Sequence, residues 1–212
     1  IYPGSELFEG FEGFQIDCGV RMQGGLAVDQ ARKRSFRLLF KKKYGKGKLA
    51  YPVFESAVHH AASAVDRFDT LVLRAGGNVN WAKDKAYKHA PSTYLRDQFM
   101  RDTQIAASGF GARGTFAHLY VNGLYFGIYN LTERPDEKHL ARYFGGSSDE
   151  WYAVNHGGLV GGQTERWTEI VSLVGGGARR SSGFAPRPVQ PMAGSKSIER
   201  LRELIDVDAF FD

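Results

Sequence analysis

The chain has 212 residues, is 42% hydrophobic and 13% aromatic, and carries a net charge of +5. That is enough apolar material for one large domain, and it excludes disorder by composition. The single cysteine, Cys18, excludes an intrachain disulfide and a cysteine-based zinc cluster, and no run approaches the roughly 18 apolar residues of a membrane span.

The basic charge is local. Arg32, Lys33, Arg34, Arg37, Lys41, Lys42, Lys43, Lys46 and Lys48 lie between residues 32 and 48 with no acid among them. These nine exceed the net charge, so the remainder is net acidic. Such a patch suits an anionic neighbour, or a solvated hairpin end in the case of Lys41 to Lys48. The first residue is Ile, and Asp206 opens a fresh helical start. Both ends therefore read as cuts in a longer chain.

In chain order, residues 14 to 23 alternate as a strand with Ile16, Cys18, Val20 and Met22 on one side, which makes Cys18 a buried structural thiol. After a loop from Gly24 to Arg32, a second strand over 33 to 41 places Phe36, Leu38 and Phe40 on one face. Residues 70 to 75 form a third strand. Pro91-Ser92-Thr93 opens a helix capped by Ser92 or Thr93, with Leu95, Phe99 and Ala106 near one face.

The sharpest local signal is the hairpin from Thr115 to Leu131, because Asn122-Gly123 is the preferred pair for a two-residue type I′ turn. Pairing Val121 with Leu124 and stepping outward makes Ala117, Leu119, Val121, Leu124, Phe126 and Ile128 a buried face. The opposite face, Phe116, His118, Tyr120, Tyr125, Gly127 and Tyr129, leaves room for a packed helix or a ligand, the helix being the commoner answer. Pro135 ends the strand run. A helix over 137 to 144 stops at Gly145-Gly146. A strand follows at 150 to 155, then an amphipathic helix over 164 to 174. Residues 175 to 197 form a Gly/Pro-rich loop before a helix over 198 to 205. The fold class is α+β.

A strand, a glycine-bearing loop and a strand that opens on basic residues can grip a phosphate, since glycine lets backbone N–H groups approach an anion and a lysine or arginine opposes its charge. The candidates are Gly24, Gly25, Arg32, Lys33, Arg34 and Arg37. The spacing matches neither Gly-x-Gly-x-x-Gly nor the Walker loop, and by itself a Gly-Gly turn beside charges is more often just a turn. Arg96 and Asp97 either face solvent or support the site, Asp97 or Asp102 pairing Lys33 or Arg34. Glu133, just after the hairpin, is either a capping carboxylate or lies beside a nucleotide base. The six histidines show no metal-ligand spacing.

Taken together, these pieces resemble the spore-coat kinase (CotH) family. The resemblance rests on Gly19-Val20-Arg21-Met22-Gln23-Gly24-Gly25 followed by Lys33-Arg34-Ser35-Phe36-Arg37, on Tyr94-Leu95-Arg96-Asp97, and on Leu119 to Glu133, which is similar to a Tyr-x-Asn-Gly-x-Tyr-x-Gly-x-Tyr hairpin ending in Glu. Ile205-Asp206-Val207-Asp208-Ala209-Phe210 looks like the short helix before that family's second half. The insert at Ala57 to Ala64 and the loop at 175 to 197 depart from its short members.

The resemblance implies a diverged protein-kinase-like N-terminal lobe, an antiparallel sheet plus helix, over 1 to 131. It implies a hinge and an incomplete second lobe over 132 to 212. The implied activity is phosphate transfer from ATP to protein Ser/Thr with Mg²⁺ or Mn²⁺. Its catalytic and metal-binding Asp/Asn residues would lie beyond Asp212, leaving these 212 residues inactive alone. Gly24 and Gly25 would cover the phosphates, Lys33 or Arg34 would contact them, Glu133 would sit near the base, and Arg96 and Asp97 would support. A spore coat or a secreted bacterial multidomain protein is the implied location. The rival is a kinase-like surface adhesion module without catalysis. Nucleic acid ranks last as a partner, because the basic patch lacks a stacking series of aromatics beyond Phe36, Phe40 and Tyr44.

Overall fold

The computed structural model describes residues 13–24, 31–55, 64–76, 93–155, 158–161, 164–173 and 195–204. Gly25, most of the 57–64 insert, Pro91-Ser92, nearly all of the 175–197 loop and the 206–212 segment lie outside the described residues. The fold is α+β. The chain divides into two compact units, Ile1–Pro135 and Asp136–Asp212.

The first unit is built on a five-stranded antiparallel sheet, β1 (Gly19–Gln23), β2 (Ser35–Leu39), β5 (Thr70–Arg74), β7 (Leu124–Glu133) and β6 (Gly114–Val121), in that spatial order. A short pair, β3 (Leu49–Ala50) with β4 (Arg67–Phe68), stands beside it. The central strand β5 carries Leu71, Val72 and Leu73, all buried, as an apolar run in mid-sheet must be. Leu71 and Leu73 join Phe40, Leu49, Phe54, Phe68, Tyr129 and Leu131 in one core, with Phe54 edge-on to Phe68 at 5.6 Å.

The β6–β7 hairpin turns where the sequence predicts, with φ of 50° at Asn122 and 81° at Gly123. Its faces do not follow the straight register. Tyr120 pairs with Tyr125, but Leu119 pairs with Gly127, so Phe126 is an extra residue and β7 bulges there. Gly127, at φ 92°, absorbs the bend. Beyond the bulge every side chain of β7 changes face. Tyr129 is 1% exposed and Leu131 is buried, whereas Phe126 (45%), Ile128 (43%) and Leu124 (68%) face solvent. Of the expected buried face, only Ala117 and Leu119 pack against the core.

The reason lies in the phase of β7. An unbroken alternation through Ile128 would carry Asn130 and Thr132 into the apolar core. Bulging at 126 sends Tyr129 and Leu131 there instead, opposite Ala117 and Thr115 and beside Leu73.

On the edge strand, Val20 and Met22 are exposed, although Ile16 and Cys18 before them pack on the core. Burial, helped by Asp17, pushes the half-buried Cys18 thiol up from its ordinary value.

Helix α1 (Arg96–Ser108) starts later than expected. Its cap is Leu95, without a side-chain hydrogen bond, in place of Ser92 or Thr93. Leu95, Phe99 and Ala106 are exposed, and the helix buries Gln98 and Ile105. It meets the sheet through polar side chains.

In the second unit, α2 (Glu137–Phe144) is capped by Asp136, whose carboxylate accepts the His139 N–H at 3.1 Å. A 3-10 turn over Ser148–Glu150 leads into the hairpin β8 (Ala153–Asn155) and β9 (Gly158–Gly161). Helices α3 (Thr164–Leu173) and α4 (Ser195–Leu204) are tied by Arg200, which donates to Glu169 at 2.8 Å and Glu203 at 2.6 Å.

Candidate functional site

Gly24 closes β1 and Lys33 precedes β2 by two residues, so the loop between these strands begins and ends at one end of the sheet. Gly24 is exposed and has φ 138°. Lys33 is the better-defined group. Its ammonium donates to the Tyr94 hydroxyl at 2.8 Å and to the Ile128 carbonyl. It lies 4.3 Å from the centre of the Tyr129 ring and 5.0 Å from that of Tyr94. The Ile128 carbonyl is reachable because Gly127 has no side chain; a Cβ there would stand 3.4 Å from Lys33 Nζ.

Burial holds the Lys33 ammonium below the ordinary lysine value. Burial likewise raises the Tyr94 and Tyr129 phenols, so both hydroxyls stay protonated at neutral pH. The Tyr129 hydroxyl donates to the Arg34 carbonyl at 3.0 Å, fixing the ring beneath the lysine. Among the described residues Lys33 thus sits in a cage of neutral groups. An ammonium has three N–H donors. Two are spent on these oxygens, and among the described residues the third meets no acceptor.

The helix carboxylates do not reach it. Asp97 pairs with Arg74 of β5, and Asp102 accepts from Gln98 at 2.8 Å. Asp97, expected to pair Lys33 or Arg34, pairs with Arg74 because α1 crosses the sheet above Arg74 and Asn130. These two are neighbours in the β5–β7 register.

Around them lies a second polar cluster. Asn130 donates to Gln98 at 2.8 Å and to the Thr115 carbonyl at 3.2 Å, while Arg101 donates to Asn130 and, at 3.2 Å, to Gln98. Burial, aided by Arg74, brings the Arg101 guanidinium down to about 10, with Asp97 and Asp102 opposing. Gly114 permits the close approach, since a Cβ there would lie 2.4 Å from Gln98 Oε1 and 3.0 Å from Thr132.

Arg96 is exposed at the start of α1. Glu133 is 3% exposed, and its carboxylate accepts the Arg113 N–H at 2.8 Å. Residues 41–48 form an exposed turn in which Lys48 meets Asp69 at 3.7 Å and Lys43 lies over Tyr44. Of the expected residues, the structure therefore gathers the Lys33 ammonium and the Arg34 carbonyl around Tyr129, with Gly24 at the other end of the loop. It puts Asp97 in a separate cluster and Glu133 inside the strand end.

A family model described as CotH kinase protein matches residues 20–170, most of the chain. The chain belongs to the CotH kinase family. No curated protein matches it. No solved structure matches it either. The matched span includes Lys33, Tyr94, Tyr129 and the bulged hairpin, so the cage lies within the CotH kinase region. Sequence reasoning missed Tyr94, Tyr129, Arg74 and Asn130. A glycine two residues before Tyr129 signals the bulge that turns that ring inward, but nothing local marks Tyr94.

Among the described residues no group of three or more His, Cys, Asp or Glu is arranged to hold a metal ion, and no helix is long and apolar enough to cross a membrane.

Proposed function

We propose that the unit ending at Pro135 is the nucleotide-holding lobe of a kinase-like phosphotransferase that takes ATP and a protein hydroxyl as substrates. The observation that carries this reading is the Lys33 ammonium, half-buried and, among the described residues, held only by neutral groups and retaining a donor. A desolvated cation without a carboxylate partner is costly unless an anion completes it. A phosphate oxygen at the β1–β2 loop fits that need. Membership of the CotH kinase family and an antiparallel sheet with one helix crossing it support the same reading.

In this proposal Lys33 contacts the phosphates and Gly24 lets the backbone come close to them. Asp97 and Arg96 act only indirectly, through the placement of α1. Mg²⁺ or Mn²⁺ would neutralise the phosphate charge when bound. The described residues do not form a carboxylate set for it, so they are given no part in metal binding.

Calorimetric titration with a non-hydrolysable ATP analogue tests the proposal. Lys33→Met should weaken binding by about tenfold or more, since a charged hydrogen bond contributes about 1.5–3 kcal/mol. Replacing Lys41, Lys42 and Lys43 together by Ser should change it by less than about twofold, because exposed charges are screened. Equal losses from both would mean diffuse attraction and no site.

One observation favours a second reading, a surface adhesion module. Tyr120, Leu124, Tyr125 and Phe126 at the hairpin tip are 45–68% exposed. Undetectable nucleotide binding, with wild-type stability retained, would favour it.

A further inference from the structure

We propose that Tyr94 is the positioning residue for Lys33, its hydroxyl and ring holding the ammonium so that one N–H remains for a phosphate oxygen. This rests on the reading of Lys33 as the phosphate contact, and goes beyond it by naming what aims that contact.

Four observations converge on Tyr94. Its hydroxyl accepts from Lys33 across 61 residues of sequence. Its ring lies 5.0 Å from the same ammonium. Its backbone stands at φ 57°, a left-handed conformation that bulky L-residues rarely adopt. It also immediately precedes Leu95, the cap of α1, whose first acid, Asp97, is engaged by Arg74. A tyrosine is not placed in that conformation by local preference. Tertiary contacts over-determine it, and the hydrogen bond from Lys33 is one of them.

The chemical consequence concerns charge. A carboxylate in Tyr94's place would hold the lysine equally well but would neutralise it. A phenol with its proton retained holds the lysine and leaves its charge for the ligand. Tyr129, 4.3 Å away on the β7 side, supplies the second neutral wall. The cage therefore suits a lysine kept ready for an anion, and α1 is coupled to that lysine through the residue at its threshold.

The experiment uses the full chain with ¹³C-labelled lysine, reading the Lys33 titration by NMR and ATP-analogue affinity by calorimetry. Tyr94→Phe keeps the ring and removes the acceptor of the charged form. It should lower the Lys33 titration point and weaken binding by about tenfold. Tyr94→Asn tolerates the left-handed backbone but removes the ring. It should raise the Lys33 titration point, because water regains the ammonium, and should also weaken binding. A purely structural role would not move the lysine in opposite directions.

If Lys33→Met abolishes binding while Tyr94→Phe changes neither affinity nor titration, the positioning role is overturned and the phosphate contact stands. If Lys33→Met leaves affinity unchanged, both are overturned.

Discussion

Replacing Tyr129 and, separately, Phe126 by alanine separates the two registers open to the β6–β7 hairpin. In the bulged register Tyr129 is 1% exposed and donates to the Arg34 carbonyl, while Phe126 is 45% exposed. Truncating a buried aromatic costs about 3–5 kcal/mol, and the lost hydrogen bond adds about 1. For Phe126, roughly half of a side chain of about 200 Å² is removed from water. At about 25 cal/mol/Å², reduced because the unfolded chain is itself partly collapsed, that gives about 1–2 kcal/mol. The variants should therefore differ by about 3 kcal/mol.

Urea unfolding followed by far-ultraviolet circular dichroism reads this directly. With a slope of about 2 kcal/mol/M, the midpoint of Tyr129→Ala should fall about 1.5 M below that of Phe126→Ala. A straight register makes the opposite prediction, because Phe126 would then be core and Tyr129 surface. Phe126→Ala as the more damaging change would refute the bulge and the cage built on it.

Gly127→Ala should cost about 1–2 kcal/mol in the same assay from its positive φ, and its Cβ at 3.4 Å from Lys33 Nζ should also weaken nucleotide binding. Asn130→Ala removes a partner of both Gln98 and Arg101 in a buried cluster, so a loss of about 2–3 kcal/mol is expected in thermal or urea unfolding. Gly114→Ala, whose Cβ would sit 2.4 Å from Gln98 Oε1, should detach the same cluster at a cost of about 1–3 kcal/mol, visible as faster amide exchange along α1. Because Lys33 is held below the ordinary lysine value, it should lose its proton at lower pH than exposed lysines. Nucleotide affinity should then fall as pH rises through that point. Folding disfavours this proton, so stability moves the other way, rising with pH between the folded and unfolded values. Lys33→Arg should abolish the fall in affinity, since a guanidinium keeps its charge there.

The sequence alone located most elements and their order. The Asn122-Gly123 turn, the apolar run at 70–75, the Gly145 stop and the helix near 164–174 are local signals, written in residues that need particular dihedrals or a particular period. Lys33 was also legible, as a basic residue opening a strand after glycines. What the sequence could not decide was which face each side chain takes once strands pair. Alternation continues to look regular through Phe126 and Ile128. Only the demand of the core around Leu73 for apolar neighbours makes a one-residue bulge cheaper than turning Asn130 and Thr132 into that core; both are buried instead on the other face, where Asn130 meets Gln98.

The same holds for α1. Its apolar residues suggested a core-facing stripe, but the sheet face it crosses presents Arg74 and Asn130, so polar side chains turn inward and Phe99 outward. Tyr94 meets Lys33 and Asp97 meets Arg74 only because residues far apart in sequence converge on one end of a folded sheet. Spacing along the chain carries no record of that convergence, and the tertiary structure alone selected which acid meets which base.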